Sequence, residues 1–182
     1  VSHAVAQTSK IPVLVVRPKQ QAAAMHPIRV LYAYDGSTGS SAALATAKQL
    51  SWPSDAQVVA LTVVEALTAG EIPDWLMKKA RDADAEAMAS HWEREFEDDK
   101  RQARDQLADV MHKQTPPFAA AEIVCAAGHA AEQIIKLVAE RNIDVVLLGS
   151  HGKGMLSRLL VGSTSSKVLN QAACSVLIAR GT

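Results

Sequence analysis

Apolar and polar positions change period in a regular succession along the chain. Ile28–Tyr34 is a short, mainly apolar run of strand length. From about Thr38 to Leu50 the apolar positions Ala43, Leu44, Ala47 and Leu50 recur at three- and four-residue steps, which predicts a helix with one inward face. Trp52-Pro53-Ser54-Asp55 ends it, and Val58–Val64 is a second β-branched run. A loop at Gly70–Pro73 precedes a long helix from about Asp74 to His112. Its middle, Glu93 to Arg101, is mostly charged and solvated, while Trp92, Phe96, Ala103, Leu107 and Val110 form a packing stripe. Pro116-Pro117 breaks the pattern. A third strand is expected over Phe118–Cys125, a helix over Ala130–Arg141 and a fourth strand over Ile143–Leu148. A helix over Ser163–Ala173 and a fifth strand over Ser175–Ala179 finish the chain.

Five strands alternating with helices predict an α/β fold: a five-stranded parallel sheet of order 3-2-1-4-5, Rossmann-like, with helices on both faces. The winding direction then reverses between the first and fourth strands. Ligands in such sheets bind at the carboxyl ends beside that reversal. The first strand ends at Tyr34-Asp35 and the fourth at Leu148-Gly149, so topology alone brings these two ends to one crevice.

Composition narrows the function classes. The chain has 182 residues, 48% of them hydrophobic and only 4% aromatic, so its core is aliphatic, as parallel strands under helices require. Lys+Arg and Asp+Glu stand at 19 each, which leaves no electrostatic reason to expect nucleic acid or an anionic membrane as a partner. No apolar stretch reaches bilayer-spanning length. The two cysteines, Cys125 and Cys174, read as small buried residues of a reduced, cytoplasmic protein. No metal-ligand spacing occurs among them.

The candidate chemistry lies between the fourth strand and the last helix. There Gly149, Gly152, Gly162 and Ser163 follow the spacing glycine, two residues, glycine, nine residues, glycine, serine. Glycines admit a close backbone approach, and a helix N-terminus offers free N–H groups to an anion. The loop is not a Walker A motif, which needs Gly-Lys-Ser/Thr after four intervening residues. Nor is it a dinucleotide fingerprint, since Gly152-Lys153-Gly154 lacks a third glycine at Ser157.

This spacing resembles the nucleotide-binding signature of the universal stress protein family, in its ATP-binding branch, and the resemblance extends over residues 28–180. It implies an adenine nucleotide alpha hydrolase-like fold and a bound ATP. Gly149, Gly152, Gly162, Ser163 and Thr164 would hold the triphosphate and ribose. Asp35 would stand near adenine and ribose, the Val63 main chain would meet the adenine edge, and Gly128 would leave room beside the ribose. Asp35 has a structural alternative, an Asx-turn or N-cap before Ser37. Val63 is otherwise plain core. Lys153 neutralises a phosphate or is simply solvated, and Arg158 faces the γ-phosphate or water. His151 touches ribose or phosphate, whereas His129 reads as a loop residue. Neither histidine has a nucleophile or carboxylate placed beside it by sequence to make a catalytic pair. The acidic pairs Asp82/Asp84 and Asp98/Asp99 lie among Lys and Arg and read as solvated ion pairs rather than metal ligands. Mg²⁺, where present, would ride on the phosphates.

The N-terminus carries a partial repeat. Val1–Arg17 aligns without gaps on Thr164–Arg180: Ser2 on Ser165, Val5 on Val168, Val13-Leu14 on Val176-Leu177, and Arg17 on Arg180. Residues 1–18 therefore read as the last helix and strand of an upstream domain, residues 19–27 as a linker, and residues 28–182 as a domain of the resembled family. The chain would then be part of a tandem protein. The family resemblance further implies antiparallel pairing of last strands, here Ile11–Val16 with Ser175–Ala179, within one chain or between two. A homodimer is the favoured form. Ser175 departs from the proline usual at that position, which Pro12 retains in the tail.

The function these readings imply is an ATP-binding, nucleotide-dependent stress-response regulator with little or no catalysis. The alternatives are a nucleotide-free association scaffold and a slow ATP hydrolase on the same fold. The strand-one loop Tyr34-Asp35-Gly36-Ser37-Thr38 lacks the Ser-Gly-Gly-x-Asp-Ser string of an ATP pyrophosphatase.

Overall fold

The computed structural model describes residues 2–18, 26–64, 83–152 and 161–181. In chain order these form α1 (Ser2–Thr8), β1 (Val13–Val15), β2 (Arg29–Tyr34), α2 (Thr38–Ala47), β3 (Gln57–Val64) and α3 (Ala83–His112). A 3₁₀ turn (Phe118–Ala120), β4 (Glu122–Ala127), α4 (Ala130–Glu140), β5 (Val145–Gly149), α5 (Ser163–Gln171) and β6 (Ser175–Ala179) follow.

The strands make one sheet of order β1-β6-β5-β2-β3-β4. This corrects the expected five-stranded parallel sheet of order 3-2-1-4-5: the sheet has six strands and is mixed. The extra strand is the tail segment β1, which runs antiparallel to β6, with Val13 opposite Ile178 and Val15 opposite Val176. β2 pairs parallel with both β3 and β5, so the reversal of winding falls at β2, as the pattern required. Without β1, β6 would present an apolar edge with unpaired backbone groups. The antiparallel pair expected of the tail forms here within one chain.

Alternation along the strands sorts the core into two layers. Leu31, Leu61, Val146, Val176 and Ile178 pack with α4, α5 and Ala6 of α1 on one face. Val30, Tyr32, Leu147 and Leu177 pack with α2, Leu107 and Met111 of α3, and Phe118 on the other. The α4 periodicity is realised at Ala131, Ile134 and Val138, with Leu137 buried as well and Ile135 only partly so. Asn142, at φ 51°, turns the chain after it. Phe118 is a second correction. It belongs to the 3₁₀ turn rather than a strand, and its buried ring meets Trp52 edge-on at 6.0 Å. The α3 stripe is only partly buried: Leu107 is fully inside, while Trp92 stays exposed. The expected loop at 70–73 and the first turns of the long helix lie outside the described residues.

Two glycines set how closely α2 seats on the sheet. A Cβ on Gly149 would stand 2.4 Å from the Gly39 carbonyl carbon and 2.6 Å from the Ser40 nitrogen. A Cβ on Gly39 would stand 2.5 Å from the His151 carbonyl oxygen. The first turn of α2 therefore lies backbone to backbone against the end of β5. Ser37 caps that turn, its hydroxyl accepting from the Ser40 N–H at 3.1 Å. The buried Tyr32 hydroxyl donates to the Ser40 carbonyl at 3.0 Å, and burial pushes this phenol's pKa well up.

Candidate functional site

The carboxyl ends of β2, β3 and β5 open onto a cavity of about 620 Å³. Asp35, Val63, Gly149, His151, Gly152, Gly162, Ser163 and Thr164 all line it. Eight of the nine residues expected to contact nucleotide are thus brought together from four separate parts of the chain. Gly128 is the ninth, and it does not line the cavity. Its φ of +112° makes it a turn glycine between β4 and α4, where its N–H donates to the Val64 carbonyl at 3.1 Å. His129 is exposed at the N-cap position of α4, without a side-chain cap bond. Lys153, Gly154 and Arg158 lie outside the described residues.

Local bonding assigns distinct parts to the lining residues. One oxygen of Asp35 accepts from the Ser37 N–H at 2.9 Å, so the Asx-turn alternative is realised. The other, Oδ2, would stand 2.9 Å from a Cβ on Gly152. Gly152 is thus the glycine whose bare backbone leaves this carboxylate room, whereas Gly149 is glycine because α2 packs on it. The Gly162 N–H is already used, donating to the Ser150 carbonyl at 2.7 Å. The Ser165 hydroxyl donates to the Gly149 carbonyl at 2.6 Å, which ties α5 to the end of β5. The first turn of α5, entered at Ser163 and Thr164, carries N–H groups that the helix itself leaves without acceptors.

His151 carries the sharpest feature of the site. Its Nδ1 shares a hydrogen bond with Ser150 Oγ at 2.8 Å, while its Nε2 is buried without a partner among the described residues. A buried ring nitrogen left unpaired costs about 1–3 kcal/mol, which a ligand contact would recover. The Ser150–His151 contact is also a serine–histidine pair that sequence spacing did not suggest. Ser150 is wholly buried, so its hydroxyl has no solvent-accessible path to a substrate in this conformation.

A helix missing from the expected site also lines the cavity. Asp99, Gln102, Ala103 and Gln106 of α3 form part of its wall. The sequence signal was present in their i, i+3, i+4, i+7 spacing, but a polar helix stripe reads as solvated until the sheet places it. A second depression of about 570 Å³ lies at the opposite, amino ends of the strands. Its Arg141 and Glu122 pair with each other at 2.9 Å. No described helix is long and apolar enough to cross a membrane.

Comparison with known proteins matches this geometry to one family. The model of the universal stress protein family matches residues 28–180. A universal stress protein of Thermus aquaticus is 28% identical over 151 residues, 83% of this chain and 97% of the relative. The universal stress protein Slr1230 of Synechocystis is 36% identical over 59 residues, 32% of this chain but only 21% of that protein's length. Among solved structures, a universal stress protein from Archaeoglobus fulgidus superposes with a TM-score of 0.59 at 21% identity, covering 100% of this chain and 55% of that one. A universal stress protein solved in complex with cAMP superposes with a TM-score of 0.50 at 21% identity, covering 85% of this chain and 98% of that one. With the family model spanning most of the sequence and the crevice formed at the reversal of its sheet, the chain belongs to the universal stress protein family.

Proposed function

We propose that this domain binds an adenine nucleotide, ATP with any Mg²⁺ carried on its phosphates, and that the nucleotide acts as a conformational ligand in a stress response. The observation that carries the reading is the buried Nε2 of His151, without a partner among the described residues, in a crevice that also holds the first turn of α5. Nε2 would meet a ribose or phosphate oxygen, and the N–H groups at Ser163 and Thr164 would meet phosphate. Oδ2 of Asp35 is an acceptor suited to a ribose hydroxyl. The cAMP complex of one structural neighbour is in keeping with adenine chemistry at this fold. The proposed role is regulatory, with little or no turnover.

The proposed organisation is that residues 1–18 complete an upstream domain of the same kind and that the two units associate through β1 and β6, in one chain or in a homodimer. The support is that β1 pairs with β6 at equivalent repeat positions. A neighbour roughly twice as long also matches the whole chain.

Replacing Gly152 with Val tests the nucleotide reading. The new side chain would fill the space beside Asp35 Oδ2 without entering the core. Titration calorimetry should show ATP binding to the native protein and none to folded Gly152→Val. Equal affinity in the two proteins sinks the proposal.

A further inference from the structure

We infer that Arg17 is a positioning residue for the crevice. From the tail it caps the carboxyl end of α5, and so couples docking of residues 1–18 to phosphate binding at the other end of the same helix. This rests on the nucleotide reading above and adds the contact through which the tail bears on it.

α5 is a marginal helix by its own sequence. It has nine residues, short of the roughly 12–15 at which even good helix formers hold together alone. Ser163, Thr164, Ser165, Ser166, Val168 and Asn170 are all weak helix formers. Gly162, at the N-cap, makes no side-chain bond to it, whereas α2 starts on the Ser37 hydroxyl. The first turn has no acidic residue and the last turn no basic one. The middle is held by the buried Val168 and Leu169, by the Ser165 bond to Gly149, and by the exposed Lys167–Glu132 pair at 2.9 Å. The two ends therefore depend on groups from elsewhere.

Arg17 serves the carboxyl end. The Ala172 N–H donates to the Val168 carbonyl at 2.9 Å and closes the helix. The Leu169 carbonyl is the next in line, with no helical donor left for it. One nitrogen of the Arg17 guanidinium donates to that carbonyl, and another donates to the Cys174 carbonyl at 3.1 Å. The fixed positive charge also faces the negative end of the helix dipole. At the amino end the first internal bond runs from the Ser166 N–H to the Gly162 carbonyl at 2.9 Å. The Ser163 and Thr164 N–H groups precede it and have no helical acceptor, and both residues line the cavity. A phosphate there supplies the negative charge that the first turn lacks. Tail and phosphate thus each favour the ordered helix over a frayed one. Two groups that order the same element assist each other, and by equal factors. Nucleotide then holds the tail docked, and release of the tail loosens the phosphate.

The test compares the full native chain with Arg17→Ala and Arg17→Lys. Amide exchange is measured without nucleotide, and binding of ATP and of adenosine by NMR titration. In Arg17→Ala the amides of Asn170, Gln171 and Ala172 should exchange about fivefold faster, and ATP should bind about fivefold more weakly, the low end of ordinary coupling. Adenosine, which has no phosphate, should bind as it does to the native chain. Arg17→Lys should fall between, since an ammonium keeps the charge but loses the fork that spans two carbonyls. Unchanged ATP affinity in Arg17→Ala overturns the inference while leaving nucleotide binding in place. An equal loss of ATP and adenosine also overturns it, since that marks a general distortion of the crevice. If the native chain binds neither compound, the nucleotide reading falls and the coupling with it. The exchange rates without nucleotide tell that failure apart from failure of the cap, which unchanged rates in Arg17→Ala would establish.

Discussion

Leu14 lies directly opposite Leu177 across the β1–β6 pair. These two leucines are equivalent positions of the terminal repeat, Val13-Leu14 aligning with Val176-Leu177. A register centred on equivalent residues is the register of a local two-fold axis. The two strands nevertheless differ in cover. Leu177 is 4% exposed beneath α2, while Leu14 is 46% exposed, and its neighbours Ile11 and Val16 are more exposed still. Arg17 fastens the end of the tail, its N–H donating to Ser175 Oγ at 3.2 Å and its guanidinium to the Cys174 and Leu169 carbonyls. Ser175 thus supplies a bond that a proline at this position could not.

Deleting residues 1–18 should uncover the edge of β6 and the faces of Val176 and Ile178 against which Val13 and Val15 pack. The truncated chain is expected to self-associate or lose solubility, read by multi-angle light scattering beside the full chain. Identical, well-behaved monomers would refute this account of the tail.

Gly149→Ala should destabilise the fold by about 2–4 kcal/mol, because the new methyl meets the α2 backbone, which can yield only by moving the helix. Gly152→Ala should cost far less, since its close neighbour is the end of the Asp35 side chain. Urea denaturation midpoints of the two variants give the comparison, and equal midpoints would contradict the assignment of separate parts to these glycines.

Removing the His151 ring should weaken nucleotide binding by roughly 1.5–3 kcal/mol, the range for a hydrogen bond to a charged group. Ser150→Ala should weaken it less, since the ring keeps its Nε2 but loses the bond that orients it. Dissociation constants for ATP ordered native, Ser150→Ala, His151→Ala from tight to weak are the expected result. An unchanged constant in His151→Ala would remove the orphan nitrogen from the site.

ATP turnover should stay below about 1 per second, the low end of ordinary enzymatic rates. Ser150 is too deeply buried to attack a substrate. Phosphate release measured under single-turnover conditions provides the check, and faster release would call for a catalytic group not yet identified.

Cys125 should be a sluggish thiol. Burial raises its pKa above the ordinary 9.0 despite the opposing charges of Lys100 and Arg104. The folded state therefore favours the neutral thiol. That contribution to stability is fully present below the unfolded pKa and is lost as pH rises through the folded one. Alkylation at pH 8 should be slower for Cys125 than for a free cysteine, with the difference closing at higher pH. A mass-resolved iodoacetamide time course that finds Cys125 as fast as free cysteine would contradict this.

Much of the architecture was legible in one dimension because burial imposes a period. The 3.6-residue repeat of α4 and the apolar runs of β2, β3 and β5 follow from the need to cover a sheet on both faces. The reversal at β2 followed from right-handed crossovers and the alternation of elements, and with it the meeting of Asp35 and the glycine loop at one crevice. Phe118 could not be assigned this way, since an apolar residue at the start of an apolar run looks alike in a strand and in a buried turn.

The residue types at the site were set by the sequence, and their parts by tertiary contact. Local spacing marked Gly149 and Gly152 alike, but only the close approach of α2 makes one a packing glycine and leaves the other beside a carboxylate. Sequence put His151 at a ribose or phosphate, but only folding paired its Nδ1 with the neighbouring serine and buried its Nε2. The polar stripe of α3 gained a cavity to face only when β3 and β4 brought it across the carboxyl ends. The tail strand likewise carried its hydrophobic pattern in sequence, while its edge position and its register at Leu14 arose from the apolar edge that β6 offered. Periodicity records whether a residue is buried. Which backbone approaches it, and what its polar atoms meet, depends on segments far away in the chain.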